Sequence, residues 1–115
     1  MTRLAALILL PAFFSTPALA GIRLQSSDPA QGARVAETAR ITLRFSGAMQ
    51  PALSGAMLVG PSGKTVPAAA ATGMNAITLL PFHLQPGRYH VDWHSVGQDK
   101  SMAKGSIAFT VVPRD

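Results

Sequence analysis

Apolar and polar residues alternate with a period of two along much of the chain. This alternation predicts strands with one buried face and one face in water. The pattern spans residues 40–45, 88–96 and 106–112. The predicted buried positions are Ile41, Leu43 and Phe45 in the first segment, Tyr89, Val91 and Trp93 in the second, and Ile107, Phe109 and Val111 in the third. No long stretch shows the 3.6-residue period of an amphipathic helix.

Shorter strand candidates fill the rest of the chain, separated by turns rich in Pro and Gly. They are residues 22–26, 55–60, 64–68 and 76–80. The Ala-rich stretch 66–73 is interpreted as a loop or an edge strand, with a helix as the less favoured alternative. About seven short strands predict an all-β, immunoglobulin-like antiparallel β-sandwich or Greek-key barrel. Tyr89 follows a Pro-Gly turn, where a tyrosine commonly hydrogen-bonds back to the loop it has just left.

The first twenty residues have the features of a secretory signal peptide. Arg3 precedes an apolar stretch from Leu4 to Phe14, and the small-residue site "ALA" follows at 18–20. The stretch is shorter than the roughly 20 residues that cross a bilayer. We therefore expect cleavage after residue 20, a mature domain over residues 21–115 that is not itself transmembrane, and a periplasmic location.

The composition narrows the functional classes. The chain has no cysteine, which excludes disulfides and thiolate chemistry. Without Arg3, the chain has nine Lys and Arg residues and five Asp and Glu residues. The basic residues are scattered and form no run. We therefore predict no nucleic-acid partner, because no basic stripe is interleaved with aromatic residues. There is also no paired carboxylate set, supported Ser-His-Asp set or phosphate loop, so we predict that the protein is not an enzyme.

Two histidines flank an aspartate on the polar face of residues 88–96. His90 and His94 are four residues apart on one strand, or about 13 Å, so a single ion cannot bind both. Asp92 could share an ion with either, but an exposed polar face is the favoured interpretation. Met57 is interpreted as a core filler. The other methionines, Met49, Met74 and Met102, lie near turns and are candidates for partial exposure.

Several motifs together resemble the CopC family of copper resistance proteins. They are "SSDPAQG" at 26–32, "FSGAMQPALSG" at 45–55, "LQPGRYHVDW" at 84–93 and "GSIAFTV" at 105–111. The resemblance covers the whole of residues 21–115. It implies an exported β-sandwich or β-barrel that binds copper and works beside a CopD-like inner-membrane protein.

The resemblance also implies where a copper site would lie. The family's Cu(II) ligands are an N-terminal histidine, a D-x-H motif and sometimes a carboxylate after "FS". These positions fall on Gly21, Asp99 with Ser101, and Gly47. Only the Asp99 carboxylate and the α-amine of Gly21 remain as candidate ligands, and Asp99 could equally cap its turn. The loop that is Met-rich in some members, and suited to Cu(I), contains no methionine here.

Two functions from different classes follow. The first is periplasmic copper handling through a weakened or altered site, with Cu(II) or Cu(I) as the ion. The second is an interaction module that binds no metal and docks on an envelope or membrane partner.

Overall fold

The computed structural model describes residues 22–36, 38 and 40–113, which form eight strands in two sheets. Residues 1–21, which include the predicted signal peptide and Gly21, lie outside the described residues. The strands are β1 (Leu24–Asp28), β2 (Arg34–Val35), β3 (Ile41–Phe45), β4 (Gly55–Val59), β5 (Ala68–Thr72), β6 (Ala76–Pro81), β7 (Gly87–Val96) and β8 (Met102–Val111).

The two four-stranded sheets pack face to face. One has the order β1-β3-β6-β5 and is antiparallel throughout. The other has the order β2-β8-β7-β4, in which only the short β2 pairs in parallel, through Arg34 with Thr110. This arrangement confirms the predicted immunoglobulin-like sandwich.

The core consists of the inward positions of the alternating strands. All nine residues predicted from the alternation are buried. Trp93 is 8% exposed, and its ring meets the ring of Phe45 edge to face at a centroid distance of 5.2 Å. Such aromatic pairs between the two sheets add about 0.5–1.5 kcal/mol to the free energy gained from burial.

The predicted tyrosine corner is present. The Tyr89 hydroxyl donates a hydrogen bond of 2.6 Å to the carbonyl oxygen of Gln85, in the loop that precedes β7. Burial raises the pKa of the Tyr89 hydroxyl, although the bond to Gln85 works in the opposite direction. The corner therefore fixes the turn at the start of the longest hairpin.

The strand boundaries differ from the prediction in four places, the first of which is β1, predicted over 22–26 and found at Leu24–Asp28. The strand predicted over 64–68 is wrong: Thr65 makes one isolated bridge to Val59, and the chain then moves to the other sheet, where 68–72 is the edge strand. β2 was not predicted, because two residues carry no periodicity. β8 begins at Met102 rather than at residue 106, because ten consecutive residues pair with β7.

Two methionine predictions are wrong. Met57 is 46% exposed, because it lies opposite Asp92 on the outward face of the sheet, while its neighbour Leu58 points inward opposite Val91. Met49 is 0% exposed and belongs to the core. Its N–H donates to the carbonyl of Met74 at 2.7 Å, so the chain around Met49 folds across the end of the sandwich.

Candidate functional site

The turn between β7 and β8 carries the one candidate ligand side chain. The Gly97 N–H donates to the Ser101 carbonyl at 2.8 Å, and the Lys100 N–H donates to the Gly97 carbonyl at 2.9 Å. Lys100 has a φ of 71°, in the left-handed region. This is the geometry of a three-residue hairpin loop, whose last residue usually needs a positive φ. It holds Asp99 at the tip.

Asp99 caps its own turn, as one of the two interpretations predicted. Its Oδ1 accepts the Ser101 hydroxyl at 2.7 Å and the Ser101 N–H at 3.0 Å. These bonds, the hydroxyl first, lower the pKa of the Asp99 carboxyl. The carboxylate is exposed and charged at neutral pH, so it remains able to bind a cation.

The N-terminal segment lies directly against this turn. A Cβ placed on Gly97 would be 2.8 Å from Asp99 Oδ1, 3.1 Å from Ser101 Oγ and 3.1 Å from Ile22 Cδ1. Gly97 is buried, and only the absence of a side chain there allows the three groups to approach one another. Ile22 is also close to Gly47, whose Cβ would lie 3.6 Å from Ile22 Cγ1.

Two hydrogen bonds between Arg23 and Ser46 hold the N-terminal segment in this position. The Arg23 N–H donates to the Ser46 hydroxyl, and the Ser46 N–H donates to the Arg23 carbonyl, both at 2.9 Å. The residues that follow Gly21 are therefore fixed beside Gly47 and beside the Asp99 turn. Gly21 itself lies outside the described residues.

Two glutamine side chains that the sequence analysis missed join the same segments. Gln50 Nε2 donates to the Gly97 carbonyl, and Gln98 Nε2 donates to the Met49 carbonyl, each at 2.8 Å. These bonds link the chain after β3 to the β7–β8 turn, about fifty residues later. No periodicity or motif marks such a contact, because each partner is a backbone carbonyl.

The side chains at this end provide few donors for a metal ion. Asp99 offers a carboxylate and Ser101 a hydroxyl, while Gly47 offers no side chain. Within the described part of the chain, no three His, Cys, Asp or Glu residues lie close enough together to hold one ion. A site at this end would have to draw further ligands from the backbone, from water or from the N-terminal amine.

The histidines of β7 behave as the favoured interpretation predicted. His90 Nε2 lies 3.5 Å from Asp92 Oδ2, and both side chains are roughly half exposed. His94 is exposed and covers Gly55 on the neighbouring strand, where its Cε1 lies 3.4 Å from the position a Cβ would take. His83 is also exposed.

The described part of the chain contains no helix with the length and apolar character needed to cross a membrane. Pro51–Leu53 is a single 3₁₀ turn.

Comparison with known proteins gives consistent matches. The CopC domain model matches residues 24–112. Protein YobA of Escherichia coli K12 is 36% identical over 113 residues, covering 92% of this chain and 91% of that protein. Copper resistance protein C of Pseudomonas syringae pv. tomato is 35% identical over 99 residues, covering 77% and 79%. The crystal structure of PcoC, a methionine-rich copper resistance protein from E. coli, superposes with a TM-score of 0.73 and 33% identity over 80% of this chain and 99% of that one. The sequence motifs, the two-sheet architecture and these matches agree, and the chain belongs to the CopC family.

Proposed function

We propose that this protein is exported to the periplasm and handles copper through an altered, weakened site at the end of the sandwich that holds Asp99. Membership of the CopC family supports the choice of copper. The observation that carries the choice of site is the approach of Ile22, Asp99 and Ser101 around Gly97. The proposed role is to bind and pass on the ion, with no covalent reaction.

The expected ligands are the Asp99 carboxylate and the α-amine of Gly21, which cleavage after residue 20 would release. Cu(II) favours nitrogen-rich, tetragonal coordination. One amine and one carboxylate fill only half of four such positions and include no imidazole. The protein should therefore bind Cu(II) far more weakly than a relative that carries both histidines. The partner that we propose for this role is a CopD-like inner-membrane protein, on which the domain would dock.

Restoring the two histidines tests the site. In the Gly21→His, Ser101→His variant, the new side chains and Asp99 would offer one amine, two imidazoles and one carboxylate. Electron paramagnetic resonance should then show an axial, nitrogen-ligated Cu(II) signal that the parent lacks. A matched control, Gly21→His with Lys64→His, has the same number of histidines. Its second histidine replaces an exposed lysine at the opposite end of the sandwich, so its signal should show one nitrogen ligand fewer than that of the Gly21→His, Ser101→His variant.

Two results would contradict this proposal. A strong nitrogen-ligated signal from the parent would mean that His83, His90 or His94 already binds the ion. A silent double variant, with a thermal melt like that of the parent, would mean that this end of the fold cannot form the site.

The second function is an interaction module that binds no metal. Glycine at 47 and serine at 101 favour it, because neither supplies a strong copper ligand. Calorimetric titration of the exported protein with Cu(II) and with Cu(I) separates the two. Nanomolar or tighter binding supports copper handling, and heats no larger than those of buffer support the interaction module.

A further inference from the structure

An aromatic side chain projects into solvent at the end of the sandwich away from Asp99. Phe82 follows β6 and is 81% exposed, and Leu80, two residues earlier on the outward face, is 42% exposed. Beside Phe82 lies a shallow hollow of about 300 Å³. Its lining includes Leu84, Pro86 and Pro113, so the surface next to the exposed ring is partly apolar.

Three arginines lie at the same end of the sandwich as Phe82. Arg88 pairs with Thr110, and Thr110 pairs with Arg34, so both arginines project from the outer face of the sheet that holds β7 and β8, on the side of the sandwich opposite to Leu80. Arg40 directly precedes Ile41 in the neighbouring sheet. All three arginines are exposed, and none forms an ion pair with a carboxylate of the described residues.

Arg40 is close to Phe82 by register. Ile41 pairs with Leu79, which places Arg40 alongside the last residues of β6 before the exposed ring. Arg88 follows the turn that contains Gln85 and Pro86, which line the hollow beside Phe82. We call Phe82 with these three arginines the tip face. It combines one exposed aromatic ring with three positive charges on the two outer faces, while Asp28, which pairs with Thr42, places one negative charge at the same end.

We propose that the tip face docks on an anionic phospholipid bilayer. The arginines would bind lipid phosphates, for which a planar guanidinium is well suited. Phe82 would enter the boundary between headgroups and acyl chains, where the apolar surface of its ring is removed from water. Charge complementarity favours this occupant, because an anionic leaflet attracts clustered basic residues. The ten residues of β7 separate the two ends by about 30 Å, so docking would leave the Asp99 turn facing away from the lipid.

Co-sedimentation with vesicles tests this proposal. The exported protein should bind vesicles of phosphatidylglycerol and phosphatidylcholine, and should bind pure phosphatidylcholine much less. Each change of Arg34, Arg40 or Arg88 to Gln should weaken binding about fivefold at low salt. Raising the salt to physiological strength should also weaken binding of the parent. Phe82→Ser should weaken binding on the order of tenfold while leaving this salt dependence in place.

The chain offers matched controls at the other end. Met102 is 80% exposed, and Lys104 is exposed on the same strand. Met102→Ser and Lys104→Gln should bind vesicles as the parent does, and all variants should keep the melting temperature of the parent.

Three outcomes would overturn the proposal. The first is no binding to anionic vesicles at low salt, which would favour a protein as the partner of the exposed ring. The second is an unchanged vesicle affinity in Phe82→Ser, which would mean that diffuse charge attraction alone accounts for binding and that the ring does not enter the bilayer. The third is equal losses in the variants at both ends.

Discussion

The contact between Trp93 and Gly105 gives a sharp test of how the core is packed. The two residues are direct partners on β7 and β8, and the indole ring lies over the glycine. A Cβ on Gly105 would lie 2.7 Å from Cζ2, 3.0 Å from Cε2 and 3.2 Å from Nε1 of Trp93. The ring cannot easily move aside, because its edge-to-face contact with Phe45 holds it from the other sheet.

The change Gly105→Ala therefore combines two opposing effects. Overpacking of a filled core costs about 1–3 kcal/mol. Replacing glycine where the backbone tolerates alanine gains about 0.4–1 kcal/mol, because the unfolded chain loses conformational freedom. The φ of Gly105 lies outside the left-handed region, so this gain applies. We expect the variant to be about 1–2 kcal/mol less stable than the parent.

A second change reverses the sign of this effect. Trp93→Phe replaces the indole with a smaller ring and removes Nε1, which has no hydrogen-bond partner among the described residues. That change alone should destabilise the protein through lost packing. In its background, however, Gly105→Ala should be neutral or stabilising by up to about 1 kcal/mol. The expected coupling between the two sites is about 1–3 kcal/mol.

The parent, the two single variants and the double variant form a double-mutant cycle. Urea unfolding of these four proteins, followed by far-ultraviolet circular dichroism, measures the free energy of unfolding of each. Circular dichroism is preferred to fluorescence because two of the proteins lack the tryptophan. If Gly105→Ala has the same effect in both backgrounds, within about 0.5 kcal/mol, the ring does not limit the space above Gly105 and the reasoning fails.

Three further predictions concern the turn, the core and the N-terminus. Lys100→Gly should stabilise the protein by up to about 1 kcal/mol in thermal melts, because a positive φ strains a side chain; a lower melting temperature would contradict the turn geometry. Trp93→Ala should cost about 3–5 kcal/mol, and His94→Ala within about 0.5 kcal/mol; a large loss for the histidine would mean that β7 presents the opposite face. Mass spectrometry of the exported protein should find Gly21 at its N-terminus, and a retained leader would contradict the periplasmic location.

Family resemblance and residue periodicity contributed different parts of the functional argument. The motifs of residues 26–32 and 84–93 led to the CopC family, which the comparisons show. Periodicity alone carries no information about copper. The candidate ligands at Gly21 and Asp99 came from the resemblance and stay predictions.

Alternation by itself determined the faces of the long strands. In β7, Tyr89, Val91 and Trp93 are buried as predicted, because each pairs within a sheet whose inner face is fully covered. Such a strand has only two faces, and a regular apolar pattern leaves one choice for the core. The same reasoning placed His90 and His94 on the outer face.

Only the tertiary structure decided the positions of residues without such a pattern. Residues 55–60 are apolar in sequence, so nothing local distinguishes Met57 from Leu58; pairing with β7 turns one outward and the other inward. Met49 is buried because a non-repeating segment crosses the end of the sandwich. The approach of Ile22 to Asp99 likewise depends on segments more than seventy residues apart, which meet because the two sheets pack together and Gly97 leaves room between them.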